Sequence, residues 1–189
     1  QYANGFVHRR VKLYQESGFD VDVVAFGKRV KPDVYIYDGV PVLSGYVNEL
    51  IGLLSIYEYA SVSVHFMNSE MWQVIKKVIP EDIPLAVFVH GYEVRNWSRL
   101  PYGIRDPKVL NGRIEKSLRN EDLWKELTAS NSKVDKFFFV SDWWRTAAGE
   151  DLGIRFNQSR SAIVHNVIDG KIFSYEEKDA DQRFKILWV

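Results

Sequence analysis

The chain has 189 residues, 46% hydrophobic and 14% aromatic, which is enough to bury a substantial core and incompatible with disorder. Its 25 basic residues are balanced by 25 acidic ones, so the overall field that draws a protein to nucleic acid is missing and no nucleic-acid partner is expected. Cysteine is absent, which excludes disulfides, thiolate nucleophiles and cysteine metal sites together, and no stretch approaches the ~20 apolar residues that cross a bilayer.

Taken in order, the chain alternates helix and strand signals. Asn4-Gly5 runs directly into a helical pattern at Val7, Val11 and Tyr14 that ends at Gly18, and the strand expected before it is read as missing from the chain. Phe19 to Phe26 begins with alternation and becomes fully apolar, a strand, and Val34 to Tyr37 is a shorter one. Gly45 to Tyr59 places Tyr46, Leu50, Leu53, Leu54 and Tyr57 on one helix face, and Ser61 to Phe66 returns to a strand. Met71, Val74, Ile75 and Val78 repeat the helical spacing until Pro80 stops it. Leu85 to Val89 is an uninterrupted apolar run with no polar face, as expected of a central strand covered by helices on both sides. Asp106-Pro107 opens a long helical region carrying Leu110, Ile114 and Leu118, with a break expected near Asn120 and a restart at Asp122. Lys136 to Val140 is another buried strand, Ser141 caps a helix ending near Leu152 and Gly153, and Ser161 to His165 closes the series. Such alternation specifies an α/β fold with a mostly parallel sheet and right-handed crossovers, a Rossmann-like three-layer α/β/α domain over residues 1–173. Residues 174–183 form a charged linker, and 184–189, FKILWV, read as the first strand of a truncated second domain.

Generic motifs are missing: there is no G-x-G-x-x-G, no phosphate loop and no G-x-S-x-G elbow. Asp20-Val21-Asp22 has the form of a sugar-transferase metal motif, yet it stands at the start of a strand, away from the edge where ligands collect, so no metal is expected. What remains is a set of strand exits carrying polar or glycine residues. In open parallel sheets ligands gather outside the carboxyl ends of the strands, so Asn4, Gly5, His65, Asn68, His90, Gly91, Tyr92, Glu93, Arg95, Ser141, Asn166 and Asp169 would line one edge. His90, directly after the central strand, is the first candidate for chemistry. Each position also has a plain reading: Gly5 as a turn, Asn68 and Ser141 as helix caps, His90 as an end-of-strand residue bonded to backbone. Tyr92 to Tyr102 mixes Arg95 and Arg99 with Trp97, suiting either a phosphate-bearing acceptor, a membrane interface or an ordinary solvated loop. Trp143 and Trp144 read as helix packing, and His8 as a surface residue.

Several stretches together resemble the group 1, family-four retaining glycosyltransferases. YANGFVHRRVKLYQESGFDVDVVAF looks like their opening glycine loop, first helix and G-x-x-V-x-V strand, and Val89 to Gly91 like their histidine-glycine element. FVSDWWRTAAGEDLG looks like the strand and helix before their domain junction, HNVIDGKIF resembles their N-G-[IV]-D-x-x-x-F signature, and FKILWV their second domain's first strand. The resemblance covers almost the whole chain in the family's order. It implies the acceptor-side, N-terminal half of a two-domain GT-B enzyme of hexosyltransferase type, working in polysaccharide biosynthesis without a metal or other cofactor. The nucleotide-sugar donor would be held by a second domain carrying an E-x7-E motif, so this half alone is expected to be inactive. It further implies a saccharide or lipid-linked acceptor, peripheral membrane contact, and a cytoplasmic location at the inner face of the membrane. By the same resemblance Gly5 would let its loop approach the donor, and His90 would hydrogen-bond the transferring sugar. Two positions depart from the pattern: Val167 stands where the family has glycine, and Glu93 where many members carry aspartate. A non-catalytic Rossmann-like scaffold and a GT-B nucleotide-sugar epimerase are the alternatives.

Overall fold

A computed structural model describes residues 4–99, 106–170, 174 and 177. It is an α/β protein of Rossmann-like design: α1 (Gly5–Glu16), β1 (Val23–Phe26), β2 (Asp33–Tyr37), β3 (Val40–Gly45), α2 (Val47–Ile56), β4 (Val62–His65), α3 (Ser69–Val78), β5 (Leu85–Val89), α4 (Pro107–Thr128), β6 (Val134–Phe139), α5 (Asp142–Leu152) and β7 (Ser161–Ile163). Strands β4, β5, β6 and β7 form an all-parallel four-stranded sheet in that order. A second sheet runs β1-β3-β2, parallel between β1 and β3 and antiparallel between β2 and β3. Tyr59 donates its hydroxyl to Asp22 at 2.7 Å just before β4 and β1, and Lys28 N–H donates to Glu70 at 3.0 Å just past their ends. The two strands therefore run in the same direction, side by side, although they share no ladder. The strand expected before Asn4 lies outside the described residues, as do the strand at 184–189 and most of the expected linker.

Alternation along β5 places the layers. Leu85, Val87 and Val89 enter the main core with Trp72 and Ile75 of α3, Leu123, Trp124 and Leu127 of α4, and Ala148 and Leu152 of α5. Phe88 points the other way, toward α1, whose Arg10 lies 4.7 Å over its ring. Helices thus cover both faces at this strand, which is why its sequence is apolar throughout. A smaller core joins Val11 of α1 to Val23, Val40 and Val42.

Three expectations need correction. The helix drawn from Gly45 begins only at Val47, because Val40–Gly45 is a strand, hairpinned to β2 through Asp38 (φ 46°) and Gly39 (φ 75°). Both turn residues take the positive φ of a tight hairpin, and Asp-Gly is the sequence that does so most readily. The long helix does not break at Asn120: it runs unbroken for 22 residues, since Leu123, Trp124 and Leu127 keep its buried stripe in phase across that point. His8 is not a bare surface residue, because its ring packs edge-on to Tyr37 at 4.9 Å and meets Asp38 at 2.9 Å.

Candidate functional site

The four parallel strands end at one edge, and their exits bring His65, His90, Ser141 and His165 there. His65, the last residue of β4, stacks on Phe88 at 4.5 Å, and its Nδ1 lies 3.0 Å from Nε2 of His90, so one ring donates and the other accepts. Phe66, at φ 56°, stacks on His90 from another side at 4.2 Å. A bulky residue in that conformation is strained, and here it lays an aromatic face against a histidine. Burial pushes both rings well below the usual histidine range, His90 to about 4 and His65 to about 3, with the Arg10 charge adding to the effect and His90 acting further on His65. Both are neutral at pH 7.

Arg10 comes from the helix on the other side of the site. It is 5% exposed, donates to the carbonyl of His165 at 2.9 Å and lies over Phe88. Among the described residues it has no carboxylate partner. A guanidinium taken so far out of water normally sits opposite an anion. Beside it, Arg9 faces Asp169 across 3.5 Å, and the buried Oδ1 of Asn166 has no hydrogen-bond partner among the described residues. The Val167 departure causes no strain, because the non-glycine residues of positive φ among those described are Asp38 and Phe66.

The turn after His90 is held from below. Gly91 takes φ 110°, and Glu93 folds back so that its carboxylate accepts from His90 N–H at 2.7 Å. Burial raises the Glu93 carboxyl above its ordinary range, while the backbone N–H groups of His90, Glu93 and Gly91 pull the other way. Glu93 therefore supports the turn instead of facing an open cleft. Its carbonyl accepts from the indole N–H of Trp124 at 2.9 Å, linking the turn to the core. Trp124→Phe keeps most of the volume and orphans that buried carbonyl, so it is expected to lower unfolding stability by about 1–3 kcal/mol in urea denaturation.

The other candidates separate from this cluster. Asn4 caps α1, accepting from the N–H groups of Phe6 and Val7; Asn68 caps α3, accepting from Met71 N–H; Ser141 caps α5, accepting from Trp144 N–H. Gly5 lies in the first turn of α1, with open space where a side chain would be. Tyr92 is exposed and stands with Arg95, whose guanidinium is 5.5 Å from its ring. Arg99 is fully engaged, at 2.7 Å from Asp151 and 2.9 Å from Glu150. Asp22 lies at the opposite edge, bonded to Tyr59, and no metal-ligand cluster occurs among the described residues. Trp144 packs as expected, whereas Trp143 is 60% exposed. Sequence reasoning passed over Arg10, Phe66 and Phe88. Arg10 could have been found, because it interrupts the Val7, Val11 and Tyr14 stripe on its own helix face.

No family model matches the chain, and no curated protein matches it. No helix among the described residues is long and apolar enough to cross a membrane.

Proposed function

We propose that this chain is the acceptor-side half of a retaining glycosyltransferase of GT-B architecture, transferring a sugar from a nucleotide-sugar to a saccharide or lipid-linked acceptor. The observation that carries the reading is the neutral His65–His90 pair at the exit of the central parallel strands, with the buried Arg10 guanidinium nearby. The sequence resemblance over Val89 to Gly91, by which His90 would sit near the transferring sugar, supports the reading.

A sugar leaving a diphosphate passes through an oxocarbenium-like state, so the protein must supply fixed dipoles and charge. In a neutral histidine pair, His90 Nε2 either accepts the shared proton or donates it, and Nδ1 takes the complementary role. His90 then serves as one polar contact of fixed direction toward a sugar hydroxyl. Its ring cannot swing, because His65, Phe66 and the Glu93-bonded backbone hold it. Arg10 offers a positive charge that the departing diphosphate would satisfy. In this reading donor binding belongs to the second domain of the GT-B architecture.

One observation favours a non-catalytic scaffold instead: Asn4, Asn68, Ser141 and Glu93 each spend a side-chain oxygen on the fold. A thermal-shift titration of nucleotide sugars, run on this chain and on the protein extended through its second domain, separates the two. A ligand at a hundred times its Kd adds about 2.7 kcal/mol of stability, a rise of several degrees. The transferase reading expects the extended protein to respond to one nucleotide class. Silence of both proteins toward every donor rejects it in favour of the scaffold.

A further inference from the structure

From Val94 to Arg105 the sequence carries Arg95, Arg99 and Arg105 and no aspartate or glutamate. Arg99 is neutralised by Asp151 and Glu150, and Asp106 is spent as the cap of α4. Among the described residues Arg95 has no such partner. It lies over the Tyr92 ring, and Lys116 of α4 lies 4.4 Å from the same ring while donating to the Tyr92 hydroxyl at 2.9 Å. Arg113 is three residues before Lys116 on the same helix face, and its charge also reaches the phenol. Among the described residues none of these three cations makes an ion pair. The neighbouring acids of α4 are engaged elsewhere, Glu115 with Arg119 and Glu121 with Lys125.

In a chain of zero net charge, three uncompensated cations around one exposed tyrosine are not a general excess. They repel one another, and the arrangement is relieved by an anion between them. The chemistry of the donors selects among anions. Two planar guanidinium forks, one ammonium and one phenolic O–H converge from different elements. A carboxylate is saturated by a single fork, whereas a phosphate, with more oxygens and more charge, accepts from several donors at once. We infer that Tyr92, Arg95, Arg113 and Lys116 form a binding site for a phosphate or diphosphate group. The inference stands apart from glycosyl transfer, since it uses neither His90 nor a nucleotide sugar. The Tyr92 phenol is already held below its ordinary range, first by the hydrogen bond from Lys116 and then by the Lys116, Arg95 and Arg113 charges.

The test titrates inorganic pyrophosphate into the chain at constant ionic strength, following the ring resonances of Tyr92 by NMR. In parallel, sedimentation measures binding to phosphatidylcholine vesicles with and without phosphatidate. The variant Arg113→Gln/Lys116→Gln replaces two exposed side chains and is expected to fold normally, which its unfolding midpoint checks. Saturable pyrophosphate binding, weakened about tenfold or more in the variant, supports a site for a soluble diphosphate group. Binding to phosphatidate vesicles alone, equally lost in the variant, supports the same site taking its phosphate from a membrane surface. No binding to either probe, or binding that the double substitution leaves unchanged, overturns the inference.

Discussion

Gly91→Ala is expected to destabilise the chain by about 2–6 kcal/mol, which combines the ~1–3 of a side chain forced into a disfavoured φ with the ~1–3 of overpacking. Both causes act at one atom. Gly91 sits at φ 110°, and a β-carbon there would lie 2.2 Å from the Trp144 indole. Neither side of that contact yields easily. Trp144 is anchored on α5, and Gly91 is bracketed by the fully buried Val89 and by Glu93, whose carboxylate bonds the preceding N–H. Relief must come from the turn, which moves His90 away from His65. The two causes are separable by a second substitution, because Trp144→Leu removes the clash and leaves the φ penalty. Made in the Trp144→Leu background, Gly91→Ala should therefore cost roughly half of what it costs in the wild type, measured by urea denaturation. Gly5→Ala is the control: its β-carbon meets open space in the first turn of α1, so its midpoint should barely move. If Gly91→Ala were as mild as Gly5→Ala, the left-handed turn against Trp144 would be wrong.

That contrast shows which parts of the site were legible in the sequence. Gly91 stands out in the sequence because a strand of pure apolar character stops just before it, and such a stop has one structural meaning in a parallel sheet. The order of helices and strands was readable for the same reason, through periodicities that local burial imposes on the chain. The β2–β3 hairpin is legible too, since Asp38-Gly39 between alternating residues is a strong turn signal, yet a reading that starts the next helix at Gly45 leaves Val40 to Ser44 without an element. Phe66 is harder, because its importance comes from the His90 ring it stacks on, beyond the next helix and strand, and no window along the chain contains that information; for Arg10 the helix shows the break in its stripe but not the His165 carbonyl and Phe88 ring it meets. Asn68 and Ser141 carry both a ligand-contact and a cap reading in the sequence and Asn4 only the first, and the geometry gives each of the three a capping bond. At a strand exit the residue that caps the next helix and the residue that meets a ligand are drawn from the same small set, so sequence alone leaves both roles open.

The histidine pair should make folding stability rise with pH between about 4 and 6.5, by roughly 1.4 kcal/mol per pH unit for each histidine. The sign follows from the depressed native values. In the unfolded chain each ring binds a proton near pH 6.5, while in the native state His90 resists until about 4 and His65 until about 3. Across that window the unfolded state holds more protons, so acid favours unfolding; above it, both states are neutral and the contribution is complete. Glu93 works in the opposite direction. Its native carboxyl keeps a proton above the ordinary range, so its share of stability falls as pH rises through that region. A comparison of wild type with His90→Gln, by urea denaturation at several pH values, isolates the histidine because Glu93 is common to both. The wild-type curve should be the steeper one from about pH 4 to 6.5 and should run parallel to the variant above it. Parallel curves throughout would mean that His90 titrates as it does in the unfolded chain. A charged His90 can only donate, and it would stand beside the Arg10 guanidinium with no anion between them, an arrangement that burial forbids. The slope therefore tests the neutral ring on which the proposed sugar contact depends, with a readout that needs no substrate.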